Sequence, residues 1–176
     1  MFRLRQKHSR RRPEQFAKPD ARKILAEQSL IRAASGSLAV TLLLSWLFAV
    51  FAMNSGRVFP WFPVLMGALI GLAVQRFGRG LDWRFPLLAA TMACIGAYFG
   101  NLMIGVLETG RYIEEPAIRV LGGLSRDTME NFFSNTINPV DHIYAFCAAG
   151  VAAFLANRRL NRREVLAVRT LARGNE

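Results

Sequence analysis

The feature that most constrains this chain is a set of long stretches without ionisable side chains, separated by short charged connectors. Four such stretches cover residues 33–56, 58–75, 85–107 and 143–157, the last extending back to Pro139 across Asp141 and His142. A helix needs about 20 mainly apolar residues, within a range of about 17–25, to cross the hydrocarbon core of a bilayer. The pattern therefore predicts an all-α integral membrane protein built as a four-transmembrane-helix bundle.

The predicted boundaries divide the 176 residues into three parts. A basic arm with an amphipathic helix covers residues 1–32, and that helix is expected to run into the first span. The transmembrane domain covers residues 33–157, with spans at about 33–55, 58–77, 85–107 and 139–157, and a basic tail covers residues 158–176. Because the first apolar stretch follows the whole basic arm, we expect it to act as an anchor and not as a cleaved signal peptide.

Orientation follows from the distribution of the net charge of +11. Lys and Arg near the ends of spans are retained in the cytoplasm. They concentrate in the arm, in the link between the second and third spans and in the tail, whereas acidic residues outnumber basic ones over residues 108–138. Both termini are therefore predicted to lie in the cytoplasm. The preference for arginine over lysine is typical of a GC-rich bacterial genome, so we expect a bacterial inner membrane.

The basic clusters of the arm and tail are predicted to contact anionic lipid headgroups or a partner protein. Each Lys or Arg near an anionic leaflet contributes about 1 kcal/mol to attraction. Nucleic acid is disfavoured as a partner, because the arm has no interleaved aromatic residues and no recognition module. The residues in these clusters are Arg10, Arg11, Arg12, Arg158, Arg159, Arg162 and Arg163. The connecting turn Gly78–Arg79–Gly80 is expected to be only a short basic turn.

Small residues four positions apart predict the faces through which the spans pack. Two glycines recur at this spacing in the second span and two in the third. The fourth span carries a similar strip, with Gly150 beside it, which consists of Ala145, Ala148, Ala149, Ala152 and Ala153. Small side chains allow helix backbones in a membrane to approach closely. The same pattern serves packing within the chain, a partner subunit or self-association. The packing candidates are Gly67, Gly71, Gly96, Gly100, Ala149 and Ala153.

The connection between the third and fourth spans, residues 108–138, is predicted to be an external loop that contains two short amphipathic helices. The first follows Pro116, and the second begins at Ser125. Met129, Phe132 and Phe133 lie on one side of the second helix, which is typical of packing against an apolar surface. That surface is either the protein's own spans and the headgroup region, or a partner.

Three polar residues are candidates for a polar path or a pH-sensitive contact. Asn101 lies within the third span, and Asp141 and His142 lie at the outer end of the fourth. The structural alternatives are an interhelical hydrogen bond from the asparagine and a capping or headgroup contact from the histidine. We expect Thr41, Ser45 and Thr91 only to bond the backbone of their own helices.

Recognisable catalytic chemistry is missing from the sequence. The spans hold no paired charges, and the chain has no HExxH, GxSxG or phosphate-binding loop. Cys94 and Cys147 fall within spans, where we expect neither a disulfide framework nor a zinc site. A bis-histidine haem is excluded because His8, the second histidine, lies in the arm. No cofactor and no metal are therefore expected.

The first functional hypothesis is a non-enzymatic accessory, assembly or scaffold subunit of a larger inner-membrane complex. It rests on several small-residue faces combined with a lack of charge inside the spans. The alternative is a small oligomeric transporter or channel, although coupled transporters usually carry buried charged residues. A third hypothesis, which the sequence supports least, is an enzyme that acts on a lipid-borne substrate at the outer surface through Asp141, His142 and carboxylates of the external loop.

Overall fold

The computed structural model describes residues 18–158, 160, 164–166, 168 and 170, and it confirms the all-α class for this part of the chain. Proline and glycine mark several helix ends. Proline fits the first turn of a helix, and glycine readily adopts the left-handed backbone conformation that often ends one. In chain order the described helices are α1 (Lys18–Ala26), α2 (Leu30–Ser55), α3 (Phe62–Gly78), α4 (Arg84–Tyr112), α5 (Ala117–Gly122), α6 (Arg126–Thr136) and α7 (Pro139–Ala156).

Three of these helices, α2, α4 and α7, are long and apolar enough to cross a membrane. They coincide with the first, third and fourth predicted spans, although α4 continues beyond the predicted boundary at residue 107 to Tyr112. Helix α3 is also apolar but is shorter, with 17 residues. The chain therefore has the helices of a membrane protein.

Residues 29–158 form one compact unit, and the other described residues belong to a second unit. The expectation of one continuous helix from the arm into the first span is wrong. Helix α1 ends at Ala26, and α2 begins only after Ser29, whose Oγ accepts the Arg32 backbone N–H at 3.3 Å. This side-chain cap satisfies one of the free amides at the start of α2 and sets its boundary.

Within the larger unit, α3 and α4 form the central pair, and each of them packs against both α2 and α7. The face of α2 that points inward consists mainly of small residues, whereas its outward face carries leucines and a tryptophan. Small residues inside and large apolar residues outside are the arrangement that lipid favours, since no water drives the helices together. The buried small residues of α2 are Ala33, Ser37, Thr41, Ser45, Ala49 and Ala52.

The closest approach joins α3 to α7. A Cβ atom at Gly71 would lie 2.6 Å from the Ala152 carbonyl oxygen, and one at Gly67 would lie 2.8 Å from the Ala148 Cα. Neither position has room for a side chain. The alanines in contact, Ala148 and Ala152, belong to the predicted strip, whereas the packing candidates Ala149 and Ala153 are half-buried beside this seam.

The predicted glycines of α4 also lie at interhelical contacts. Gly96 faces the Thr41 methyl group, and Gly100 faces the Phe48 ring at 2.9 Å from the position that its Cβ would take. Because Gly96 has no side chain, its carbonyl oxygen accepts the Ser45 hydroxyl at 3.1 Å. The expectation that Ser45 bonds its own helix is therefore wrong. It is also wrong for Thr41, because the buried Thr41 hydroxyl has no hydrogen-bond partner among the described residues. Thr91 does bond the Leu87 carbonyl.

The turn between α3 and α4 has a larger structural role than the sequence suggested. The Gly78 carbonyl accepts the Ser29 backbone N–H, and the Gly80 carbonyl accepts the Arg158 backbone N–H, both at 3.1 Å. The buried Phe85 ring fills the space beside both glycines. This turn therefore fixes the start of α2 and the end of α7, so it is more than the simple basic turn that we expected.

We predict that Gly71→Val lowers the free energy of unfolding by about 1–3 kcal/mol, the usual range for overpacking. The added side chain meets the α7 backbone, which cannot move away as a flexible side chain could. The matched control is Gly150→Val, at a glycine with no atom within 4 Å of its built Cβ. The measurement is the unfolding midpoint in mixed detergent micelles, and equal midpoints for the two variants would contradict a tight seam.

Candidate functional site

A hydrogen bond between side chains links α4 to α7 near the start of α7. The Tyr98 hydroxyl lies 2.8 Å from Nδ1 of His142. The neighbouring carboxylate of Asp141 accepts the Asn138 backbone N–H at 2.9 Å and so caps α7. The edge of Phe133 contacts Tyr98, with ring centroids 6.4 Å apart. His142 is therefore part of a junction between α4, α6 and α7.

Helix α6 packs its apolar side against the chain's own α4. Met129, Phe132 and Phe133 contact a cluster built around buried residues of α4 such as Leu102. Phe132 fits over Gly105, where a Cβ atom would lie 2.6 Å from the ring. Ser125 begins the helix by accepting the Thr128 backbone N–H at 3.1 Å. These three side chains therefore pack against the protein's own helices, and their contact with a partner stays a prediction.

A cavity of about 630 Å³ opens beside the last three turns of α4. Its floor is a single face of that helix, because the lining residues of α4 recur every three or four positions. The floor consists of Asn101, Ile104, Gly105, Glu108, Thr109 and Tyr112. Val58 and Pro60 form one wall, and the other wall consists of Phe132, Thr136, Ile137, Asn138 and Asp141.

The cavity combines apolar walls with a few polar groups, and its volume falls within the range of about 300–1,000 Å³ that is typical of small-molecule sites. Two carboxylates, Glu108 and Asp141, line it, and the lining residues include no Lys or Arg. The Asn101 side chain is half-buried. Among the described residues, no group of three or more His, Cys, Asp and Glu is arranged to hold a metal ion.

The three polar candidates do not converge on one path through the bundle. Asn101 and Asp141 line the cavity, whereas His142 lies outside its lining and bonds Tyr98. Below the cavity, the centre of the bundle is filled by large side chains that are less than 2% exposed, and three of them lie at successive turns of α3. These filling residues are Phe48, Met66, Ile70 and Val74.

The outward face of α7 holds a glycine that the packing of this chain does not explain. Gly150 has no atom within 4 Å of its built Cβ. Phe146 and Phe154, one turn away on either side, are 70% and 78% exposed. The sequence shows Gly150 beside the alanine strip of the fourth span.

Most of the basic cluster candidates lie outside the described residues. These are Arg10, Arg11, Arg12, Arg159, Arg162 and Arg163. Arg158 is described, and its backbone N–H forms the hydrogen bond to the α3–α4 turn. The predicted contacts of these clusters with headgroups or a partner stay predictions.

Comparisons with known proteins add no family to this description. No protein-family model, no curated protein and no solved structure matches the chain. Function is therefore inferred from the residues and their arrangement.

We predict that Phe132→Ala loosens α6 while leaving the transmembrane helices folded. The ring is the group that covers Gly105, so its loss removes an anchor between α6 and α4. Truncating a buried Phe typically costs about 3–5 kcal/mol, and a half-buried ring should cost less. We expect amide hydrogen exchange over residues 126–136 to accelerate at least about tenfold, which corresponds to about 1.4 kcal/mol.

The matched control for this prediction is Glu130→Ala, an exposed position on the same helix. Exchange should be measured by mass spectrometry on both variants in the same detergent. Unchanged protection of α6 in Phe132→Ala would show that the ring does not hold the helix in place.

Proposed function

We propose that the chain is a non-enzymatic accessory, assembly or scaffold subunit of a larger inner-membrane complex. The observation that carries this proposal is Gly150, on the outward face of α7, where no atom of the described residues lies within 4 Å of a built Cβ. A glycine within a helix costs roughly 1 kcal/mol relative to alanine. In membranes, glycines are enriched where a second helix must come close.

The other glycines within α2, α3 and α4 follow that rule. A Cβ atom at any of them would lie 3.0 Å or less from a side chain or backbone atom elsewhere in the chain. These glycines are Gly36, Gly67, Gly71, Gly78, Gly96, Gly100, Gly105 and Gly110. Since Gly150 breaks the rule, we infer that its neighbour is a helix of another protein, seated between the exposed rings of Phe146 and Phe154.

We further propose that α3 is a fourth transmembrane helix, which places both termini in the cytoplasm. Its 17 residues span about 25 Å and meet the lower limit for crossing a bilayer. It packs among α2, α4 and α7, and its exposed face consists of leucines such as Leu65, Leu69 and Leu72. The basic arm and tail would then face the anionic inner leaflet of a bacterial inner membrane.

The two alternative functions have weaker support. A transporter or channel is favoured by the cavity with Asn101 in its floor, but Met66, Ile70 and Val74 fill the centre of the bundle. A pore would therefore have to form between copies of the chain. An enzyme would need free catalytic groups, yet the Asp141 carboxylate caps α7 and His142 bonds Tyr98.

The proposed topology predicts the side on which each connection lies. Reporters fused after residue 57 and after residue 115 should be translocated, giving alkaline phosphatase activity and no fluorescence from green fluorescent protein. Fusions after residue 80 and after residue 176 should give the reverse pattern, because Lys and Arg hold these ends in the cytoplasm. If residues 57 and 80 reported the same side, α3 would not cross the membrane.

The accessory role predicts that Gly150→Leu removes co-purifying proteins without unfolding the chain. A larger side chain prevents the close approach of another helix, while Gly150 has no internal neighbour to disturb. Native mass spectrometry after gentle extraction from native membranes should show stoichiometric partners for the wild type and at least a tenfold reduction for the variant.

The matched control is Thr91→Leu, another change from a small to a large residue at an exposed position, whose hydroxyl bonds only its own helix. It should keep the same partners. Retention of all partners by Gly150→Leu would contradict docking through this face, and a homo-oligomer without other proteins would favour the channel alternative.

A further inference from the structure

The cavity beside the end of α4 has a chemical character of its own, separate from the proposed docking face on α7. We propose that it binds an organic ammonium group carried by a molecule with an apolar body. This inference goes beyond the accessory role and does not depend on it. The ligand chemistry fits either the headgroup of an aminophospholipid or a soluble amphiphilic amine.

The charge of the lining selects a cation. Glu108 and Asp141 both line the cavity, and the lining residues include no Lys or Arg. Asp141 is held in place by the Asn138 N–H at 2.9 Å, so one carboxylate is oriented before any ligand enters. Two carboxylates that line the same cavity attract a positive group and repel an anion.

The remaining lining favours an organic cation over a metal ion. Ile104, Phe132, Val58 and Ile137 present apolar surface, which suits a hydrocarbon body. An aromatic ring within about 6 Å of an ammonium group also attracts it through the face of the ring, and Phe132 can serve in this way. Among the described residues, no group of three or more His, Cys, Asp and Glu is placed to hold a metal ion.

The position of Asn101 adds a second requirement for the ligand. Asn101 and Glu108 are seven residues apart on one face of α4, which corresponds to about 10 Å along the helix. Asn101 lies deeper in the bundle, and its amide both donates and accepts hydrogen bonds. A ligand that fills the cavity would place its ammonium group near Glu108 and a neutral polar group near Asn101.

The test with a soluble probe uses the full-length protein in dodecyl maltoside micelles and isothermal titration with benzylammonium chloride. Benzyl alcohol, a neutral molecule of nearly the same shape, is the control ligand and should bind at least about tenfold more weakly. We expect Glu108→Gln to weaken benzylammonium binding by about tenfold or more, since hydrogen bonds to charged groups are the stronger class. The matched control is Glu115→Gln, whose carboxylate pairs with Arg119 at 3.0 Å outside the cavity.

The test with lipid separates the two sources of the ligand. The protein is incorporated into nanodiscs that contain equal amounts of phosphatidylethanolamine and phosphatidylglycerol, and native mass spectrometry counts the lipids that stay bound. Enrichment of phosphatidylethanolamine that Glu108→Gln removes would assign the site to a lipid headgroup. Binding of benzylammonium without this enrichment would assign it to a soluble amine.

Two outcomes would overturn the proposal. One is equal affinity of the wild type and Glu108→Gln for benzylammonium together with equal retention of phosphatidylethanolamine. The other is the absence of binding in both tests. Glu108 is exposed, so Glu108→Gln should keep the wild-type melting temperature without ligand. If that temperature shifts, the comparison is repeated with Glu108→Asp. This second variant keeps the charge and should keep the binding.

Discussion

The close backbone contact between α3 and α7 is the constraint on which the rest of the larger unit depends. Lipid gives helices little hydrophobic reason to associate, so packing of matched surfaces has to supply the attraction. Gly67 and Gly71 provide that match against Ala148 and Ala152. With α7 drawn this close to α3, it also reaches α4, where His142 meets the Tyr98 hydroxyl. A side chain in the seam would therefore disturb contacts well beyond the seam.

The need for small side chains at helix contacts also explains which residues lie inside the bundle and which lie on its outer surface. The buried Ser45 hydroxyl has a partner because Gly96 leaves its carbonyl open to it, whereas the buried Thr41 hydroxyl has none among the described residues. Large apolar side chains such as Trp46 and Leu69 are then left for the outer surface. On that surface a leucine needs no explanation, whereas Gly150 does, because it offers lipid almost no contact area.

The sequence predicted the helices better than it predicted their contacts. Charge-free runs, Pro139 and the Ser125 cap placed most helix boundaries close to where they occur, since these signals act locally. Which alanines face α3 depends on the rotation of α7, and a shift of one residue turns a helix by about 100°, which separates Ala149 from Ala148. The Ser45 contact and the cavity depend on residues far apart in the chain, so no local sequence pattern predicts them.

The cavity follows from unequal helix lengths. Helix α3 has 17 residues and α4 has 29, or about 25 Å and 44 Å. Helix α3 ends and α4 begins at the same turn, so α3 can cover α4 only from Arg84 to about Gly100. Beyond that point the face of α4 has no membrane helix beside it on the α3 side, and only the Val58–Pro60 connection and α6 enclose it. The cavity accordingly begins at Asn101. The polar groups of Asn101 and Glu108 lie where α4 extends beyond the N-terminal end of α3. Lengthening α3 by one turn at that end would therefore close the space that the proposed ligand needs.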